Sequence, residues 1–291
     1  MSERSPEPLT IIHTVADLRI QVAGWHRRGL RVALVPTMGA LHAGHLALIA
    51  AARAHADRVI ASIFVNPTQF GPHEDFDRYP RDQASDAAAL AGAGCDLLYA
   101  PGVGEMYQAG FGTTVSVGGL ADRLCGAARP GHFDGVATVV AKLLNQATPD
   151  VALFGEKDWQ QLTIIRRLVR DLDLPVEIAG MPIVRDADGL ALSSRNAYLS
   201  AVERERAGAL PQALGVARKA LLAGTAIAAT LTALRAALLA AGFTAIDYAE
   251  LVGSDDLLPM TKLDRSARLL AAAWMGSTRL IDNVGIAVSP R

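Results

Sequence analysis

Residues 31–65 constrain the fold more than any other part of the chain. The run Arg31-Val-Ala-Leu-Val-Pro36 is apolar and stopped by proline, which reads as a buried strand. A glycine-bearing loop follows, and Leu46, Ile49 and Ala50 then recur at helical spacing, predicting a helix from about Gly44 to Ala56. A second apolar run returns at 58–65. Strand, loop, helix and strand make a βαβ unit, whose strands pair in parallel through a right-handed crossover. Further strands are expected at 96–99, 151–154 and 176–178, with helices at 84–91, 137–145 and 158–172 between them. That alternation predicts a doubly wound α/β domain with a parallel sheet.

The pattern changes after the turn Asp186-Ala-Asp188-Gly189. Ser200-Ala-Val-Glu203 has the form of a capping box at a helix start. Leu210, Leu214, Ala217 and Leu221 line one helical face, and Leu231, Leu234 and Leu238 line another. Strand-like runs follow at 246–252, 268–275 and 278–286, so the C-terminal part reads as a smaller α+β domain. The boundary is placed near Ile183, dividing the chain into 1–183 and 184–291.

Charge and cysteine usage exclude several classes. Lys and Arg total 28 and Asp and Glu 29, a net charge of -1, so no basic field points to nucleic acid. Cys95 and Cys125 form neither a disulfide framework nor a metal-ligand spacing, which fits a reducing compartment. Residues 32–52 carry no formal charge, but Pro36, Gly39, Gly44, His42 and His45 among them argue against a membrane span. The N-terminus has charges and prolines and no apolar signal segment. A cytoplasmic protein is expected.

The sharpest chemistry lies in Pro36-Thr-Met38-Gly39-Ala40-Leu41-His42-Ala43-Gly44-His45. It leaves a strand and opens a helix, where backbone N–H groups and the helix dipole favour a phosphate. The two histidines are three apart, so both can face one site, and imidazoles there can donate to phosphate oxygens as charge builds. A similar strand-to-helix turn is expected at Phe154-Gly155-Glu156-Lys157-Asp158, with Lys157 as a point charge. Ser193-Ser194-Arg195 sets two hydroxyls beside a guanidinium. Asn66, Gln69 and Gln161 are neutral amides able to bind hydroxyls or a carboxylate. Asp86 is a candidate for positioning magnesium, with a plain helix-surface carboxylate as the alternative. No base stands beside Cys125 in sequence, and it reads as structural.

His42-Ala-Gly-His45 resembles the HxGH signature of the nucleotidyltransferase superfamily, and the wording around it is similar to the pantoate–β-alanine ligase family. The segments Phe64-Val-Asn-Pro-Thr-Gln69-Phe, Arg78-Tyr-Pro-Arg-Asp82, Arg129-Pro-Gly-His132-Phe, Phe154–Gln161 and Asp188–Asn196 extend the resemblance in order along the chain. It implies a Rossmann-like first domain binding nucleotide and pantoate, and a second domain forming a lid over the ATP site. It implies ATP as substrate, Mg2+, a homodimer, and an AMP-forming condensation of pantoate with β-alanine through pantoyl adenylate.

The same resemblance makes His42, His45, Lys157 and Arg195 catalytic, with His45 the nominal proton donor. ATP is then held by 38–45, by Gly155, Glu156, Lys157 and Asp158, and by Val184, Leu192, Ser193, Ser194 and Arg195. Gln69 and Gln161 hold pantoate, with Gln69 also near β-alanine, and Arg129 and His132 form part of the surrounding wall. Ser193–Arg195 corresponds to a mobile KMSKS-like loop. Two other readings compete: a different adenylyltransferase or tRNA-charging fragment, and a catalytically silent nucleotide-binding protein.

Overall fold

A computed structural model of the chain describes residues 9–72 and 74–288. The N-terminal segment that bears on a signal peptide lies mostly outside them. Six parallel strands form one sheet: β1 (Thr10–Ile12), β2 (Val32–Thr37), β3 (Arg58–Ile63), β4 (Leu97–Tyr99), β5 (Val151–Gly155) and β6 (Glu177–Met181). Their spatial order is β1-β4-β3-β2-β5-β6. Around this sheet run α1 (Val15–Arg27), α2 (Ala43–His55), α3 (Gln83–Gly92), the short α4 (Val103–Met106) and α5 (Cys125–Ala128), α6 (His132–Ala147) and α7 (Trp159–Asp171). The expected βαβ unit is present, with Ala33 of β2 opposite Val59 of β3.

Strand order reverses between β2 and β5, which pair with Ala33 opposite Val151. Ligands of open α/β sheets collect at such a switch point, outside the carboxyl ends of the strands. Here those two ends carry the glycine-histidine turn and the Gly155–Asp158 turn. In sequence the two are separate features; the sheet sets them side by side.

Besides the one-turn α4 and α5, two elements fall outside the sequence reading. β1 has only three residues at the sheet edge, too few for a period to register. α1 buries Leu18, Val22 and Trp25, and Thr14 caps it by accepting from the Asp17 N–H. α6 also begins five residues before the expected start, directly after Gly131, whose φ of +79° few other residues adopt without strain.

The C-terminal part contains α8 (Ala201–Ala207), α9 (Ala209–Leu222), α10 (Ile227–Ala240) and an antiparallel sheet of β7 (Ala245–Gly253), β8 (Ala267–Met275) and β9 (Thr278–Ile286). The capping box forms as read: the Glu203 N–H donates to Ser200 Oγ and the Ser200 N–H to the Glu203 carboxylate. Alternation along β8 divides its side chains between two cores. Leu269, Ala271, Ala273 and Met275 pack with α9 and α10. Leu270 and Ala272 join Tyr248, Val252 and Leu257 in the core of the parallel sheet. The two sheets therefore share buried apolar surface.

Candidate active site

α2 begins with two imidazoles that each accept from a backbone N–H of its first turn. The Gly44 N–H donates to His42 Nδ1 at 3.1 Å, and the His42 N–H donates to His45 Nδ1 at 3.3 Å. The HxGH spacing is thus a capping box in which histidines replace the usual hydroxyl and carboxylate. A backbone N–H can only donate, so both Nδ1 atoms are acceptors and the ring protons sit on Nε2. The rings lie 4.1 Å apart. Burial lowers the pKa of His42 from 6.5 to about 4, helped by Lys157. Burial, then His42 and Lys157, lowers that of His45 to about 3. Near neutral pH the site therefore presents two uncharged Nε2–H donors.

The loop before α2 corrects one expectation. The backbone N–H groups of Ala40 and Leu41 are not open to an anion: they donate to Asp86 Oδ2 and Oδ1 at 2.9 and 2.8 Å. The Gly44 N–H is bound to His42, and the His45 N–H donates to the His42 carbonyl at 2.8 Å. Donation toward phosphate falls to the imidazoles instead. Asp86 is corrected by the same contacts. It is neither surface-exposed nor an open cation ligand, being 5 % exposed with both oxygens committed to the loop. It also keeps Ala40 at a φ of +51°, and at Gly39 a Cβ would lie 2.9 Å from Asp86 Oδ2. Among the described residues no cluster of three or more His, Cys, Asp or Glu side chains is placed to hold a metal.

A cavity of about 950 Å3 opens between the two sheets, lined by Gln69, Gln161, Lys157, Asp158, Ser193 and Arg195 among others. His42 and His45 are not among its lining residues, but both lie within electrostatic reach of Lys157 and Asp158 on its wall. The Ser193–Arg195 segment folds down onto the loop: Ser194 Oγ donates to the Ala40 carbonyl at 3.0 Å. Leu192 bonds the Val184 carbonyl through its N–H at 3.0 Å and packs against Gly44, placing both residues at the α2 start. Met38 Sδ accepts from Gln69 Nε2 at 3.1 Å. Ala43 opens α2, Gly155 ends β5, and Glu156 leaves the site to pair with Arg268 at 2.9 Å.

Three acidic or amide groups have roles that sequence reading missed. Asp75 holds Arg195 by two bonds, at 3.0 Å from Nε and 2.8 Å from a terminal nitrogen. Glu74 similarly grips Arg129, which donates to His132 Nε2 at 2.9 Å. His132 Nδ1 then donates to the Gln69 carbonyl at 2.8 Å, so this chain fixes the Gln69 backbone. Asn66 is corrected from ligand to support. It is 1 % exposed and bonded to Gln69, Thr68, Tyr107 and the Gly135 carbonyl. Gln160, next to Gln161, turns into the core and holds the Cys125 N–H and the carbonyls of Leu120 and Arg123. Cys125 is buried, with its Sγ 3.0 Å from the Tyr248 hydroxyl and 3.5 Å from both terminal nitrogens of Arg279.

Acid should destabilise this arrangement in a defined window. Burial and the adjacent Arg129 lower the pKa of His132 to about 4, beside about 4 for His42 and about 3 for His45. Each folded value lies below that of the free side chain, so the unfolded chain protonates first as pH falls. Stability from these rings is complete above pH 6.5 and is lost as pH falls from there toward 4. At pH 5 unfolding is expected to take up about three protons through them. Urea unfolding at about pH 7 and pH 5 checks this, and equal stabilities at the two pH values would refute it.

Comparison with known proteins places this geometry. The family model for pantoate-beta-alanine ligase matches residues 10–285. A pantothenate synthetase of Paramagnetospirillum magneticum is 59 % identical over 276 residues, covering 95 % of this chain and 97 % of that protein. The one from Caulobacter vibrioides is 57 % identical over 279 residues, covering 95 % and 98 %. The crystal structure of pantothenate synthetase from Thermus thermophilus superposes with a TM-score of 0.89 at 49 % identity, covering 95 % of this chain and 99 % of that one. A Francisella tularensis pantoate-beta-alanine ligase, complexed with beta-gamma ATP and beta-alanine, gives 0.80 at 32 % identity, covering 95 % and 97 %. With its switch-point turns, its paired imidazoles and a match along nearly its whole length, the chain belongs to the pantoate–β-alanine ligase family.

Proposed function

We propose that the chain makes pantothenate in two steps within the interdomain cavity. A pantoate carboxylate oxygen attacks the α-phosphorus of ATP, the bond to the bridging oxygen breaks, and pyrophosphate leaves. The β-alanine amine then attacks the acyl carbon of pantoyl adenylate, expelling AMP and losing a proton. Adenylation is needed because oxide is a poor leaving group from a carboxylate, whereas AMP is a good one. The observation that carries this reading is the pairing of two neutral Nε2–H donors with Lys157 at adjoining strand ends.

Phosphoryl transfer calls mainly for alignment and charge stabilisation. His42 and His45 donate to phosphate oxygens without needing a charge, and Lys157 meets the polyphosphate as a fixed cation. Arg195 exchanges Asp75 for phosphate when the nucleotide arrives. Residues 38–45, 155–158, 184 and 192–195 surround ATP. Gln69 and Gln161 hold pantoate, and Gln69 also borders the β-alanine position. The ATP and β-alanine bound to the Francisella ligase support the same two ligands here.

The described residues build no cation cage, and magnesium is assigned to the nucleotide phosphates, its common mode of binding in phosphoryl-transfer sites. No step above passes through it. Residues 1–183 are taken as the nucleotide- and pantoate-binding domain and 184–291 as its lid. Among the described residues no helix is long and apolar enough to cross a membrane. A cytoplasmic homodimer that binds no nucleic acid completes the proposal, on family resemblance and near-neutral charge.

Oxygen-18 in the pantoate carboxylate tests the chemistry. The attacking oxygen bridges carboxyl and phosphorus, so the label is expected in AMP after one turnover. Label in inorganic phosphate, with ADP as product, would replace this route by an acyl phosphate.

A further inference from the structure

The turn that presents Lys157 has no cap of its own. Glu156–Asp158 is a single 3-10 turn whose N-cap, Gly155, offers no side chain. Its hold comes from the other sheet. Asn283, on β9 and 1 % exposed, donates through Nδ2 to the carbonyls of Glu156 and Lys157, each at 2.9 Å. Carbonyls only accept, so the amide's NH2 edge must face them. Two charge-free bonds thereby pin the peptide groups on either side of Lys157 to a strand more than a hundred residues away.

The preceding residue does the same for the opposite wall of the site. Asp282 forms two bonds with Arg185, at 2.7 and 2.9 Å, and the Arg185 guanidinium also donates to the Gly189 carbonyl at 2.9 Å. Arg185 and Ala191 pair in an isolated antiparallel bridge, just before Ser193–Arg195. The Asn283 N–H donates to Asp282 Oδ1 at 2.7 Å, tying the two holds together. Consecutive residues of β9 therefore set the spacing between the Lys157 turn and the Ser193–Arg195 segment.

We propose that Asn283 is a positioning residue for adenylation, holding Lys157 where the departing pyrophosphate needs it. The inference rests on the ligase reading above. It predicts a split between half-reactions, because Lys157 acts on the polyphosphate, which has left before the amine attacks. Asn283→Ala and Asn283→Asp remove both donors, whereas Asn283→Ser keeps one.

Each variant is assayed separately for pantoate-dependent pyrophosphate release and for pantothenate formation from synthetic pantoyl adenylate and β-alanine. Pyrophosphate release in the alanine and aspartate variants should fall about 10- to 100-fold in kcat, the scale of a small misplacement at a reacting centre. The serine variant should fall between them and the parent chain. Amide formation from the adenylate should stay within roughly twofold. Parallel loss of both half-reactions would mean a general structural role, and unchanged pyrophosphate release would mean none; either overturns the proposal. If alanine or aspartate prevents folding, the serine variant decides by the same ratio. Failure of the parent chain itself to release pyrophosphate with pantoate would instead refute the ligase reading.

Discussion

His45→Ala is expected to slow pyrophosphate release by about 10²–10³, the usual loss when a preorganised donor to developing charge is removed. The site gives the substitution a sharper form. With Nδ1 accepting from the His42 N–H and a pKa lowered to about 3 by burial, His42 and Lys157, the ring works as a neutral Nε2–H donor. His45→Gln, which keeps an N–H donor but cannot transfer a proton, should then recover part of the lost rate. Glutamine as inactive as alanine would restore proton transfer as the role of this ring. Protonation of the parent's His42 and His45 should limit the rate only near pH 4 and below, as the sign of both shifts requires. A rate loss centred at the ordinary imidazole value of 6.5 would contradict the buried, neutral pair.

Asp86→Ala should also be damaging, by a different route. It removes the acceptors of the Ala40 and Leu41 N–H groups in a buried position, which should cost about 2–4 kcal/mol of stability. The loop would lose the contact that keeps Ala40 in the left-handed region, and the α2 start would lose its fixed approach. Pyrophosphate release is expected to fall at least about tenfold, with no recovery in excess magnesium. Recovery by magnesium would return Asp86 to a metal role. Chemical denaturation and steady-state kinetics on the same preparation separate the two contributions.

Much of this is legible in the residues, and the exceptions have physical causes. The 31–65 unit reads correctly because two unbroken apolar runs, buried on both faces, flank a stretch of period 3.6. The switch point does not read from sequence, since nothing local states that β2 lies beside β5. α1 is readable in principle: Thr14 precedes Leu18, Val22 and Trp25 at helical spacing, but the exposed Ile20 and the small Ala23 and Gly24 between them dilute the pattern. His42 and His45 announce themselves as a pair, yet their capping of α2 depends on backbone geometry. Gln160 and Gln161 are chemically identical neighbours, and only the phase of α7 sends one inward and the other to the cavity. Asp75, Glu74 and Asn283 are invisible in sequence for a related reason. Their partners are remote along the chain, and a surface acid or amide ordinarily means nothing.

The core shared by the two sheets has a thermodynamic consequence. Swinging the whole C-terminal sheet away would bring Tyr248, Val252, Leu257, Leu270 and Ala272 into water together, and it would pull the Arg268 guanidinium off the Trp159 ring, 3.4 Å beneath it. Exposing such a face raises the heat capacity as well as the free energy. The Ser194–Tyr198 turn, by contrast, buries none of its side chains fully and can lift with little apolar exposure. Movement of the proposed 184–291 lid is thus expected to centre on that turn, and the heat-capacity change of nucleotide binding should be small, because the turn exposes little apolar surface when it lifts.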